Sequence, residues 1–268
     1  MQNNVLLVHC NPRSPDCDEE LNNWFNNFHL QQVLKTPGIV AVTRYKVAHV
    51  QMEWMPPMAN TPAWPHGKYI YLNIYELDRE ASPREVFQAL RNTEDGRRSH
   101  DPDNDPVEWG PQLLYEPITD KETCVWLQPE RARLTPVLPM ALWVVYSTAL
   151  PGAEEANNNW YVGQGNLRNP GFQSMVRYKL SSDQGAIDAR APGVDGAWPF
   201  GQEENLALWE LDDPLVAANS RRRSMGAAMP GPRYSWMPPL NLLRRGGEHI
   251  VYEPITTRVT PIWLKDAD

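Results

Sequence analysis

One pentapeptide occurs twice in this chain of 268 residues. Tyr115-Glu116-Pro117-Ile118-Thr119 returns unchanged as Tyr252-Glu253-Pro254-Ile255-Thr256, 137 positions later. Other landmarks recur in the same order. Leu72-Asn73-Ile74-Tyr75-Glu76-Leu77-Asp78 parallels Leu206-Ala207-Leu208-Trp209-Glu210-Leu211-Asp212, and Trp24-Phe25 parallels Trp160-Tyr161. Pro37-Gly38 with Arg44-Tyr45-Lys46 parallels Pro170-Gly171 with Arg177-Tyr178-Lys179, and Leu6–Cys10 parallels Trp143–Ser147. The offsets drift only between 133 and 137, so short insertions suffice to align the halves. Solenoid repeats run roughly 20–50 residues, so a period this long reads as duplicated domains. The expected units are residues 1–127 and 140–268, joined by a Pro-rich linker at 128–139.

An apolar content of 41% supplies a packed core rather than a disordered chain. A net charge of −8 excludes a general nucleic-acid binder, which needs a basic face. The run Arg221-Arg222-Arg223 reads as the solvated face or end of a helix. Cys10, Cys17 and Cys124 have no metal-binding spacing and cannot all pair, which fits a reduced cytoplasmic compartment. No secretory signal and no membrane span is visible in the sequence, so no membrane partner is expected. The 26 prolines cluster in 55–65, 129–139 and 230–239, which read as ordered loops or linkers. Trp54, Trp64, Trp109, Trp198 and Trp236 fall in or near such loops. An indole on a loop covers apolar surface, either the protein's own core or a ligand pocket.

Within the first unit, Val5–His9 reads as a buried strand, followed by acidic residues where a helix N-terminus favours them. Leu21, Trp24, Phe25 and Phe28 fall at i, i+3, i+4 and i+7, an amphipathic helix closed by Gln32 and ending before Pro37-Gly38. Strands are expected at 39–47, 68–77 and 113–116, with a helix at 83–92. The second unit repeats the order, with strands at 142–147, 172–180, 206–211 and 249–252 and helices near 153–167 and 213–226. This order, β-α-β-β-α-β, is the ferredoxin-like split motif, an α+β class. Such a sheet carries both helices on one face and leaves the other bare. Two units in one chain cover each other's bare faces, giving a pseudo-dimeric α/β barrel within one polypeptide.

Asp18-Glu19-Glu20-Leu21, Trp24-Phe25, His29-Leu30, Val33-Leu34, Pro37-Gly38 and Arg44-Tyr45 resemble the first helix and second strand of the EthD-like branch of the dimeric α/β-barrel superfamily. The resemblance covers residues 5–52 well and implies the fold more specifically than the reaction. It implies one of the superfamily's activities: cofactor-free monooxygenase, cyclase, isomerase or lyase. Members usually build the barrel from two chains, and this one has both halves in one.

Alternation places candidate chemistry on the strands. Ile70, Leu72 and Ile74 form an apolar row expected under the helices. Tyr71, Asn73 and Tyr75 form the opposite row and are expected in the barrel interior. In the second strand, Val40 and Val42 suit the helix side, with Ala41, Thr43 and Tyr45 inward. The first half thus presents Tyr45, Tyr71, Asn73 and Tyr75 to one polar pocket, while Ala207 and Trp209 replace Asn73 and Tyr75 in the second half. His29, at the edge of the helix stripe, matches the histidine of the family's helix motif and has Gly165-Asn166 at the equivalent place. Imidazole suits acid/base work near neutral pH, so His29 is the expected base or acid, with Tyr75, Asn73 and Tyr45 as partners to a developing oxyanion. His9, Tyr71, Trp24, Trp54, Trp64, Tyr178 and Trp209 are the expected substrate-contacting residues. Glu76 and Glu210, retained in both halves, are expected to pair across strands with Arg44 and Arg177.

No phosphate loop, nucleophile elbow or zinc spacing occurs, so neither metal nor nucleotide cofactor is expected. Asp101, Asp103 and Asp105 lack the glycine and distal glutamate of a calcium loop. The sequence reading is therefore a cofactor-independent lyase, isomerase or cyclase acting on a small hydrophobic, aromatic or polyketide-like molecule. A cofactor-free monooxygenase and a non-catalytic binding protein are the alternatives. Whether the fused barrel pairs further, as a homodimer, stays open.

Overall fold

The computed structural model describes residues 2–50, 69–93, 106–123, 139–163, 171–188, 203–217 and 243–261. Of the expectations above, Trp54, Trp64, Trp198, Trp236, the linker at 128–139 except its last residue, the aspartates at 101–105, Cys124, Gly165-Asn166 and the arginines at 221–223 lie outside them.

Strand β1 (Asn4–Pro12) leads through a 3-10 turn at Pro15–Cys17 into helix α1 (Asp18–Trp24). A π-helical turn at Phe25–His29 then connects α1 to α2 (Leu30–Leu34). Strands β2 (Ile39–Val47) and β3 (Tyr71–Leu77), helix α3 (Pro83–Arg91), strand β4 (Val107–Pro117) and the short β5 (Glu122–Thr123) complete the first half. The second half runs β6 (Ala141–Ala149), α4 (Glu154–Gly163), β7 (Phe172–Leu180), α5 (Gln184–Asp188), β8 (Asn205–Leu211) and β9 (Leu243–Pro254), with a helix starting at 214–217 after β8. The outer strands β4 and β9 are longer than expected, and α5 was not expected.

The strands form one antiparallel sheet in the order β4-β1-β3-β2-β9-β6-β8-β7-β5. A further pairing of β4 with β7 closes eight of them into a barrel. The two closing seams match each other: Tyr45, Lys46 and Val47 pair with Pro254, Glu253 and Tyr252, while Tyr178, Lys179 and Leu180 pair with Pro117, Glu116 and Tyr115. The repeated Tyr-Glu-Pro-Ile-Thr segments are these seams. Thr119 and Thr256 cap them, each accepting through its hydroxyl from the backbone N–H of the buried arginine opposite, Arg177 or Arg44.

The barrel interior is filled. Val5, Leu7, Leu72 and Ile74 meet Leu142, Val144, Leu206 and Leu208 there, with Tyr115, Tyr146, Tyr178 and Tyr252. Two further cores lie between the sheet and the helices, one per half. This corrects the expected facing of β3: Leu72 and Ile74 point into the barrel, and Tyr71 and Tyr75 belong to the core beneath α1 and α2. Register explains why. Val42, Arg44 and Lys46 lie directly opposite Tyr75, Asn73 and Tyr71, and residues directly opposite share a face. The expected facing of β2 holds for Val42, under the helices, and Tyr45, against the barrel core, but a register shift between Ile39 and Ala41 puts Ile39 rather than Val40 in the helix-side core. In this row Tyr71 and Tyr75 find hydrogen-bond partners on the helix, and Asn73 finds Arg44 on the neighbouring strand.

Gly38 and Gly171 occupy the matching turns before β2 and β7, at φ 86° and 94°. A Cβ at either would sit 2.4 Å from a Val86 or Val216 methyl. Both the left-handed backbone and the close approach of the following helix therefore require glycine.

Candidate active site

The π turn decides where His29 goes. A regular helix would carry Leu21, Trp24, Phe25 and Phe28 on its buried face. The extra residue of the π turn shifts that phase, so Leu21, Phe25, His29 and Leu30 are buried instead while Phe28 is half-exposed. Single π turns of this kind occur frequently at functional sites. His29 is thus moved from the edge of the stripe into it, 7% exposed.

Beneath the helix, His29 Nε2 lies 3.0 Å from Tyr75 Oη on β3, a buried hydrogen bond between helix and sheet. Aromatic rings enclose the imidazole. It stacks on Trp24 with centroids 4.8 Å apart, meets Phe25 edge-on at 4.4 Å, and has Trp109 at 6.4 Å. Trp24 and Trp109 contact each other edge-to-face at 6.3 Å and are both half-exposed, so they form the outer wall above the histidine. Trp109 lies in β4 rather than in a loop, next to an irregularity between β1 and β4 where Val8 pairs with Gln112 but Cys10 pairs with Trp109. Bulges of this kind re-aim side chains and are over-represented beside active sites.

A second polar group adjoins the pair. The Arg44 guanidinium is fully buried, stacks on Phe25 at 4.0 Å, and donates from Nε to Asn73 Oδ1 (3.2 Å), from Nη1 to Asn26 Oδ1 (2.7 Å) and from Nη2 to Asn22 Oδ1 (3.0 Å). Burial lowers its pKa, against the opposing coulombic effect of Cys10, Tyr75, Tyr71 and Asp18 around it. Tyr71 Oη donates to Asp18 Oδ1 (2.6 Å) and accepts from Asn22 Nδ2 (2.9 Å). Burial, and then the bond to Asp18, raise the Tyr71 pKa. Asn73 Nδ2 donates to the Val8 carbonyl (3.3 Å) and to Cys10 Sγ (3.4 Å).

The structure therefore joins His29, Tyr75 and Trp24, with Asn73 and Tyr71 adjacent through Arg44, and separates the rest of the expected set. Asn73 touches Arg44 rather than standing open as an oxyanion donor. Tyr45 and Tyr178 sit on the barrel side with Glu76 and Glu210, and burial together with those carboxylates raises both phenol pKa values. His9 also faces the barrel, where Nε2 meets Tyr146 Oη at 3.0 Å and Nδ1 meets the Pro111 carbonyl at 3.2 Å, so it does not line the His29 site. Trp209 fills the second helix-side core with Trp143, Tyr161 and Phe172. The expected Glu–Arg pairs are corrected as well. Glu76 binds Arg258 at 2.6 Å, Glu210 binds Lys121, and the two arginines bind amides. Arg44 and Trp109 are the site residues that sequence reasoning missed. Arg44 was visible as half of a repeated Arg-Tyr-Lys, and Trp109 as a residue whose counterpart 137 positions on is Gly246.

Among the described residues no three His, Cys, Asp or Glu side chains converge as metal ligands, and no helix is long and apolar enough to cross a membrane. No protein-family model matches the chain, and no curated protein sequence matches it. Solved structures do match. An anthrone oxidase-like protein superposes with a TM-score of 0.58 at 12% identity, over 97% of this chain and 94% of its own. The chain has the dimeric α/β-barrel fold. A chlorite dismutase variant from Candidatus Nitrospira defluvii reaches 0.49 at 12% identity, over 96% of this chain and 93% of its own. A protein from Fusobacterium nucleatum, provisionally named a monooxygenase, reaches 0.48 at 8%, over 97% and 95%.

Proposed function

We propose that the first half holds an acid/base site for a small aromatic substrate, and that the substrate anion formed there reacts with dioxygen without a bound cofactor. The observation that carries this reading is the buried His29–Tyr75 hydrogen bond behind the Trp24–Trp109 wall. The second half has Gly165, Trp209 and Gly246 at the places of His29, Tyr75 and Trp109, so the constellation belongs to one half alone. The anthrone oxidase-like name of the fold's match supports oxygenation over the lyase and isomerase chemistry that the sequence alone placed first. The substrate class is a phenolic polycycle with an acidic methylene. His29 takes a proton from that carbon or its enol, and Arg44 and Tyr75 stabilise the resulting oxyanion. The carbanion gives its electrons to dioxygen, the O–O bond breaks, and a CH₂ becomes C=O while one oxygen atom leaves as water.

Two wider readings belong with this one. The chain is two duplicated units, residues 1–127 and 140–268 joined by 128–139, which the matched seams and the repeated Pro-Gly turns support. Within the superfamily it is EthD-like, on the helix and strand residues that carry that pattern.

Dioxygen uptake during turnover of a hydroxyanthrone panel tests the function. Uptake should match product one to one, and His29→Ala should lower the rate by about 10²–10⁴, the usual worth of a positioned acid/base. Turnover without dioxygen would replace this reading with a lyase or isomerase. Binding without turnover, unchanged in His29→Ala, would replace it with a binding protein.

A further inference from the structure

The second half contains a buried cation that its protein surroundings leave incompletely bonded. Arg177 on β7 is fully buried, with its guanidinium 3.8 Å above the Tyr161 ring. Its Nη2 donates to Asn158 Oδ1 at 2.9 Å, but Nε and Nη1 have no hydrogen-bond partner among the described residues. Asn157, on the same helix as Asn158 and also fully buried, has no partner for Nδ2 or Oδ1 among the described residues.

The first half shows what is missing. Arg44 and Arg177 occupy matching places: each lies opposite β3 or β8 in the same register, and each gives Nη2 to the matching helix asparagine, Asn22 or Asn158. Arg44 satisfies Nε with Asn73 and Nη1 with Asn26. The counterpart of Asn73, directly opposite Arg177 in the sheet, is Ala207, and the counterpart of Asn26 is Val162. Neither side chain can accept a hydrogen bond. Leu21, in contrast, is replaced by the polar Asn157. An acceptor has gone from the strand position opposite Arg177, and an unused amide has arrived on the helix next to Asn158.

Burial lowers the Arg177 pKa, and among the described residues the Tyr161 phenol opposes this. An unpaired buried cation is strongly unfavourable, and each unbonded donor adds to it. The group removed between Asn73 and Ala207 is a planar carboxamide of three heavy atoms. A carboxylate has the same shape, two acceptor oxygens and the negative charge that would balance the Arg177 guanidinium.

We propose that the space over Ala207 is a binding site for a small carboxylate. One carboxylate oxygen accepts from Arg177 Nε, as Asn73 Oδ1 does for Arg44, and Nη1 and Asn157 Nδ2 are the further donors at the site. The site is independent of the His29 site, on the opposite half of the barrel.

The test is thermal denaturation of the full chain titrated with sodium formate and sodium acetate, against sodium chloride at equal ionic strength. Formate should raise Tm saturably where chloride does not. ¹³C-formate should broaden on adding wild-type protein. Ala207→Asn, which returns the missing amide, should raise Tm by itself and abolish both effects. Asn157→Leu, the first-half residue, should weaken formate binding several-fold and serves if Ala207→Asn fails to fold. A formate response no larger than that of chloride, a response unchanged in either variant, or a crystal grown in formate with only water against Nε would overturn the proposal.

Discussion

Replacing Asn73 with alanine makes the first half resemble the second at the residue facing its buried arginine, and the structure sets the size of the effect. Asn73 Oδ1 accepts the Arg44 Nε proton at 3.2 Å with both groups fully buried. A hydrogen bond to a charged group contributes about 1.5–3 kcal/mol, and truncating one partner leaves the buried donor without water or protein to bond. The Asn73 bonds to the Val8 carbonyl and Cys10 Sγ, at 3.3 and 3.4 Å, are long and add little. Asn73→Ala should therefore destabilise by about 2–3 kcal/mol, which for a chain of this size lowers Tm by roughly 5–10 °C. The decisive measurement is a double-mutant cycle with Arg44→Met, read by urea denaturation. Methionine removes the charge while keeping an apolar body against Phe25. Asn73→Ala in the Arg44→Met background should cost about 1.5 kcal/mol less or better, since coupled neighbours show interaction energies of about 0.5–3 kcal/mol. Strict additivity, or a loss under about 0.5 kcal/mol in the single variant, would refute the claim that Asn73 serves Arg44.

Gly38→Ala should destabilise by about 2–4 kcal/mol, combining left-handed backbone strain with a Cβ driven onto Val86, and calorimetry should show it. Alkaline stability should fall above pH about 10: unfolded tyrosines ionise there while half-buried Tyr45 and buried Tyr178 stay protonated, so each contributes a slope of up to about 1.4 kcal/mol per pH unit. This contribution is fully present below pH about 10, and Tyr178→Phe should flatten the fall in a pH series of urea titrations. Trp109→Gly, which installs the second-half residue, should weaken binding of an aromatic substrate at least about tenfold by calorimetric titration while leaving the barrel folded. Tyr75→Phe should lower kcat more than it raises KM.

The order of elements was legible because strand alternation and helix periodicity are local signals, and the repeated landmarks gave each half a second reading. The facing of β3 was not. Its two rows are both compatible with burial, Leu72 and Ile74 on one side and Tyr71, Asn73 and Tyr75 on the other, and only the partner strand decides between them. The clue was Arg44: a charged residue opposite Asn73 fixes that face as the polar one, beneath a helix bearing Asn22 and Asn26. His29 was expected at the edge of the helix stripe and lies within it, since a π turn leaves no mark in a 3.6-residue pattern. Trp109 was hidden by the prolines around it. Asn157 drew no attention, because an asparagine in a helix reads as exposed until its neighbours are known.

His9 and Tyr146 occupy matching places in the two halves and touch across the barrel. In a barrel made from two identical chains, a residue on the symmetry axis meets its own copy. Such a position accepts only side chains that tolerate themselves, and two imidazoles or two phenols must then settle donor and acceptor by breaking an exact equivalence. A single chain holding both halves has no such constraint. An imidazole faces a phenol, an unlike pair that a two-fold axis between identical chains would not allow. Assembly from two first halves would place His9 against His9 and lose that match. The axis thereby selects the unlike half as its partner, a form of self-discrimination written into one hydrogen bond.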